Sequence, residues 1–264
     1  MVVKNPHLKK DLFLDVVKKS RKVCDRLYIV NHKSDALSDE FFKQAIQMYS
    51  TSYNYLQDTN VGTMDEVKGF HYMELEKLYQ NTNTYILILD WDEILSPRLV
   101  EEIINIKKSE STHDVYKIPR TTFCLDSIID AGTYLPLLFK ISKVRVGAFK
   151  KVHDLYRVES DDIVVMKSPL LHYSYANISE LFSKHLYYAQ AEAQDLYFKA
   201  PNISSWLVML KMISEASIFF VYTLLRYNNY SNRVGWLYCL SYFSYKLQKY
   251  FFYTELQKIA NAQK

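Results

Sequence analysis

The sequence predicts an α/β fold, with a sheet domain over residues 1–178 and a helical region over 179–264. Three features carry this expectation. Strand and helix signals alternate through the first two-thirds of the chain, the pattern of a layered and largely parallel sheet. Tyr85 to Leu89 is five apolar residues in a row, as in a strand buried on both faces. From Ser179 onward, strand signals give way to long helical stretches. A chain of 264 residues holds one α/β domain of moderate size plus an appendage.

Element by element, Met1 to Val3 is a short strand stopped by Asn5-Pro6. Residues 8–22 place Leu8, Leu12, Leu14, Val16 and Val17 between lysines, an amphipathic helix. Arg26 to Val30 reads as a strand, Ser38 as the N-cap of a helix to about Met48, and Tyr53 to Leu56 as a third strand. Lys68 to Tyr79 is a helix ahead of the Tyr85–Leu89 strand. Ser96-Pro97 opens another helix, with Ser at the N-cap, Pro at the first position and Glu101-Glu102 in the early turns. Val115 to Ile118, Ile163 to Met166 and Leu170 to Tyr173 are strands, and 121–150 holds strand-like pieces with weak patterning. The tail reads as helices over 179–199, 203–226 and 233–260, broken at Pro201-Asn202 and at 228–232.

Composition removes several function classes. The five glycines form neither G-x-G-x-x-G nor G-x-x-x-x-G-K-[ST], so a bound nucleotide is gripped by another device. A net charge of +4 is too mild for a nucleic-acid binder. Cys24, Cys124 and Cys239 are widely spaced and suggest neither a disulfide framework nor a zinc site, which fits a reducing compartment. Met1-Val2-Val3-Lys4 is not a signal-peptide pattern, and no run reaches the ~18 apolar residues of a membrane span. The nearest, Ile203 to Leu225, is interrupted by Lys211 and Glu215. The expected location is cytoplasmic, free or peripheral at the inner face of the membrane. The 23 tyrosines and 14 phenylalanines crowd toward the C-terminus, where they suit sugar stacking, a membrane interface or a partner surface.

The strongest local signal is Leu87-Ile88-Leu89-Asp90-Trp91-Asp92-Glu93. Carboxylates just beyond a buried strand sit at the carboxyl edge of the sheet, where open α/β folds bind ligands. Asp90 and Asp92 straddle one residue, so both can reach a common hard cation such as Mg²⁺ or Mn²⁺ that keeps positions for phosphate oxygens. The bland alternative is a solvated acidic turn capping the next helix.

The segment Ile86 to Pro97 resembles the "lDaDE-hydrophobic-SP" stretch of family 2 glycosyltransferases, in particular the lipopolysaccharide-core β-1,4-glucosyltransferase-like subgroup. Further similarities follow in order. They are Val2-Val3-Lys4-Asn5, Leu27 to Asn31, Gly69-Phe70, Lys151-Val152-His153-Asp154 and Pro169 to Tyr175, then Tyr187-Tyr188-Ala189 and Gly235 in the tail. The resemblance implies a GT-A fold, a nucleotide-diphospho-sugar donor, most simply UDP-linked, and a metal-dependent inverting transfer to a cell-envelope glycan or lipid-linked acceptor. It places Asp90 and Asp92 on the metal and diphosphate, adds His172 or His153 as a further ligand, and makes Asp154 the general base. Asn5, Asn31, Asp35 and Asp90 would contact the donor nucleotide.

The chain departs from the family pattern at several points. Only the end of the first strand is expected, Asn31 stands where a base- or ribose-binding Asp is usual, and Pro6 follows Asn5 where Glu is usual. Leu138-Phe139-Lys140 replaces R-L-F. These changes sustain a second reading, a GT-A protein that binds a nucleotide-sugar or a partner enzyme without turnover. A nucleotidyltransferase also pairs carboxylates at strand ends, but usually with the Gly-rich loop that this chain lacks. The tail helices suit either a membrane interface, with lysines reaching phosphate, or packing on the sheet domain or a second subunit.

Overall fold

The structure, a computed structural model, describes residues 2–3, 9–31, 40–41, 43, 55–57, 64–79, 82–109, 113–145, 157–226 and 229–262. The chain divides into two compact units, Met1–Thr121 with Gly132–His172, and Thr122–Ala131 with Tyr173–Lys264. The helical unit thus carries more than residues 179–264, because it also takes in the 122–131 segment and the chain from Tyr173.

In the first unit, helix α1 (Lys10–Val23) buries Phe13, Val16, Val17, Ser20 and Val23, one stripe at three- and four-residue spacing. Helix α2 (Met64–Tyr79) starts four residues earlier than expected. Helix α3 (Pro97–Lys108) opens as the sequence indicates, with the Ser96 hydroxyl accepting from the Leu99 N–H at 3.3 Å. Of the helix expected after Ser38, Glu40, Phe41 and Lys43 are helical, and the remainder lies outside the described residues.

Three short parallel strands, β1 (Val2–Val3), β2 (Ile29–Asn31) and β3 (Tyr55–Gln57), form one sheet, with Val2 opposite Val30 and Ile29 opposite Tyr55. A second, six-stranded sheet runs β4 (Tyr85–Leu87), β7 (Ser127–Lys140), β6 (Val115–Cys124), β11 (Leu170–Tyr175), β5 (Glu93–Leu95), with β10 (Ile163–Val165) paired to β6. A small antiparallel pair, β8 (Val144–Arg145) and β9 (Arg157–Val158), completes the strands among the described residues.

The expected largely parallel sheet is corrected here. β4–β7 and β11–β5 are antiparallel, while β10–β6 is parallel, so the larger sheet is mixed. The stretch with weak patterning, 121–150, holds much of the reason. β6 and β7, ten and fourteen residues long, are joined by a two-residue turn at Leu125 (φ 47°) and Asp126 (φ 64°). Positive φ at both central positions is the geometry of the tight hairpin turn, which Asn-Gly normally announces and Leu-Asp does not. The core around the larger sheet is aliphatic: Leu89, Leu95, Leu99, Ile103, Ile118, Leu138 and Leu170 pack together.

In the second unit, helices α4 (Ile178–Lys199), α5 (Ser205–Arg226) and α6 (Arg233–Ala262) pack through Ala193, Val208, Tyr250 and Tyr253, and a second cluster joins Cys124, Ile129 and Leu181. α6 begins against a fully buried Asn229, whose amide donates to the carbonyls of Thr223 and Ile129, each at 3.2 Å. A Cβ at Gly235 would lie 2.2 Å from the Asn229 carbonyl oxygen, so only glycine fits. The unit also buries charge. Lys246 reaches Glu192 at 3.0 Å and Glu215 at 3.4 Å, Lys249 donates to Glu215 at 2.7 Å, and the hydroxyls of Tyr245 and Tyr250 donate to Glu192 and Glu215. Pairing every charge is what makes such burial tolerable.

The expectation that no segment is apolar enough to cross a membrane also needs correction. α5 averages a hydropathy of 1.6 over its best window, and its length and composition suffice, because Lys211 and Glu215 are too few to lower the mean.

Candidate functional site

The acidic turn follows directly from the strand that precedes it. Ile88 continues the pairing of β4 by donating to Leu137 at 2.9 Å, and Leu89 is buried in the aliphatic core. The chain then reverses within Trp91-Asp92, and the Glu93 N–H donates to the Asp90 carbonyl at 3.1 Å. Glu93 returns the bond, its carboxyl Oε2 accepting from the Asp90 N–H at 2.9 Å. Trp91 packs against Phe13, Val17, Leu27 and Ile29, with the Lys9 ammonium 5.4 Å from its ring centroid. The turn is therefore pinned on one side by an aromatic anchor and on the other by a closed pair of hydrogen bonds.

From Glu93 the chain enters β5, buried at all three positions, and pairs antiparallel with β11 so that Glu93 stands opposite His172. This register brings His172 to the turn, with its Nε2 3.7 Å from Asp92 Oδ1. Asp92 is 6% exposed and Glu93 is 3% exposed. From β6, the Arg120 guanidinium approaches Glu93 Oε1 to 3.8 Å.

Such crowding has an electrostatic consequence. Burial, and then the neighbouring Asp90 and Asp92 carboxylates, push the Glu93 carboxyl up to about 8, against the opposing pull of the Asp90 N–H and Arg120. Glu93 therefore keeps its proton at neutral pH, and it feels both aspartates from inside the turn. Three carboxyl groups on four residues, with an imidazole beside Asp92, gather oxygen and nitrogen donors at one turn.

These donors suit a hard divalent cation in kind. They do not form a closed protein cage: among the described residues, no group of three or more His, Cys, Asp or Glu is arranged to hold a metal ion.

The structure sets His172 beside Asp92, and the Glu93 carboxyl on the backbone of Asp90. Asn31 ends β2, in register with Val3 and Gln57. Asn5, Asp35, His153 and Asp154 lie outside the described residues. Two residues had no role in the sequence reading. Glu93 is legible in retrospect as a third acid in the same turn, whereas Arg120 arrives through strand pairing and has no local signal.

A cavity of about 820 Å³ lies in the same unit, lined by Leu27, Tyr28, Val30, Tyr72, Tyr79 and the β4 segment to Leu89, among others. Its lining includes Val30 and Leu89, the residues immediately before Asn31 and Asp90. Compared with known proteins, the chain matches no family model and no curated relative.

Proposed function

We propose that this protein is an inverting glycosyltransferase of GT-A fold. It would move a sugar from a nucleotide-diphospho-sugar, with uridine the expected base, to a cell-envelope glycan or lipid-linked acceptor. The observation that carries the reading is the turn at 90–93, just beyond buried Leu89, where buried Asp92 lies beside His172 and buried Glu93 is hydrogen-bonded to the Asp90 backbone. The resemblance of Ile86 to Pro97 to family 2 glycosyltransferases supports it.

On this reading Asp90 and Asp92 hold the diphosphate end of the donor. A bound Mn²⁺ or Mg²⁺ would supply neutralisation of the leaving diphosphate. Glu93, carrying its proton, adds no third negative charge and fixes the backbone of Asp90. His172 orients the Asp92 carboxylate from 3.7 Å or joins it as a ligand. Asp154 is the proposed base that takes the acceptor hydroxyl proton as that oxygen attacks the anomeric carbon. Asn5, Asn31 and Asp35 are proposed on the nucleoside, which would lie beside the cavity that Val30 and Leu89 help to line.

The test is nucleotide release from a panel of nucleotide-sugars with Mn²⁺ and a mixed glycan acceptor. Release that disappears in Asp90→Ala and Asp92→Ala, with both variants still folded, supports the reading. One observation favours a second reading, binding without turnover: among the described residues no complete metal-ligand group is preformed. Donor binding with no nucleotide release under any condition selects that second reading.

A further inference from the structure

The outward face of α5 is unlike a solvent-exposed helix surface. Trp206, Leu210, Ile213, Ile218, Val221 and Leu225 are all exposed, four of them by more than half of their surface. Only 17% of the most apolar stretch of this helix is buried. A helix that packs one side on a protein and leaves the other to water normally carries charge on the outer side, and a contiguous apolar face marks an interaction surface.

The charge on α5 is also one-sided. The charged residues it exposes are Lys211 and Arg226, with Arg226 set 5.1 Å from the Tyr222 ring. Its acid, Glu215, turns inward to Lys249 at 2.7 Å and to Tyr250 at 2.7 Å. Trp206 stands near the first turn and Tyr222 near the last, with exposed Tyr230 and Trp236 beyond. Aromatic side chains around an aliphatic middle, with cations as the exposed charge, match the headgroup and acyl layers of a membrane surface.

We propose that α5 docks flat on an anionic lipid surface, its outward face in the headgroup and upper acyl region. Self-pairing fits the charge pattern less well. An isologous contact would set Lys211 and Arg226 of each copy against a face whose exposed charges are again cationic. Crossing the bilayer fits less well too. Glu215, near the middle of the helix, is tied to Lys249 and Lys246 of α6, and this charged network would have to enter the hydrocarbon. Flat docking leaves the network in place. None of these residues belongs to the acidic turn, so the proposal stands or falls independently of the catalytic reading.

The experiment is flotation of the full chain with vesicles of phosphatidylcholine alone, and of phosphatidylcholine with a minority of phosphatidylglycerol. The chain floats with the anionic vesicles and much less with the neutral ones. Leu210→Glu combined with Val221→Glu loses at least about tenfold in partition. Lys211→Gln combined with Arg226→Gln loses about 25-fold on anionic vesicles and little on neutral ones, taking ~1 kcal/mol per basic residue. All four positions are exposed, and unchanged circular dichroism and melting confirm folding. Absence of flotation by the unaltered chain overturns the proposal, as does flotation that neither double variant reduces. A dimer that forms without lipid and is dissolved by Leu210→Glu with Val221→Glu, in a chain that does not float, overturns it in favour of a second copy.

Discussion

Replacing His185 by Phe flattens the acid limb of stability. The imidazole sits among the rings of Tyr175, Tyr238, Tyr242 and Tyr245, with the Tyr175 hydroxyl 3.4 Å from its Nε2. Burial, the largest cause, and the Lys246 charge hold it down to about 4 from the ordinary 6.5, with the nearby Ser241 backbone opposing them. As pH falls through 6.5 the unfolded chain takes up this proton and the folded chain does not, so stability present above 6.5 is lost progressively down to about 4. Across that window one group accounts for roughly 3 kcal/mol, at 1.36 kcal/mol per tenfold change. Urea denaturation followed by circular dichroism at a series of pH values between these limits measures it. The comparison uses the pH slope rather than the absolute stability, because Phe also changes packing. A His185→Phe variant with the same pH slope as the unaltered chain refutes the reasoning and means the imidazole already titrates normally in its tyrosine cage.

Glu93→Gln keeps an acceptor for the Asp90 N–H and changes stability by less than about 1 kcal/mol, whereas Glu93→Ala opens the turn and costs roughly 2 kcal/mol or more. Parallel thermal melts check the contrast, and equal losses contradict it. Gly235→Ala forces a Cβ to within 2.2 Å of the Asn229 carbonyl and costs at least about 2 kcal/mol, read by denaturation of the full chain. His172→Ala weakens the response of donor binding to Mn²⁺ about 10- to 100-fold, measured by metal titration, while leaving metal-free binding unchanged.

How much of this was legible in the sequence depended on whether a feature is local. The Ser96-Pro97 helix start was readable because a hydroxyl, a fixed φ and an apolar stripe occur within one turn. A strand before Asp90 was readable from the apolar run, but burial on both faces was not borne out: the strand spans Tyr85–Leu87 and is half-buried, and only Leu89 beyond it is buried. The mixed direction of the larger sheet was not, since strand order is set by which edges meet, and the Leu125-Asp126 turn lacks the glycine that usually marks a hairpin. In the site, Asp90 and Asp92 were visible as a pair. Their relation to His172 depends on the β5–β11 register, and Arg120 joins from a strand whose long extent the local pattern did not show. The apolar outer face of α5 was partly legible as hydropathy, but its one-sided charge appeared only once Glu215 was seen to turn inward.

The central claim is that the turn at 90–93 grips the diphosphate of an activated sugar through its aspartates. Calorimetric titration of the best-binding nucleotide-diphospho-sugar into the unaltered chain and into Asp92→Asn, each with and without Mn²⁺, tests it most directly. The account predicts that Mn²⁺ strengthens donor binding to the unaltered chain, and that the gain falls by roughly a hundredfold or more in the variant. Equal donor affinity in both proteins, indifferent to Mn²⁺, would contradict it.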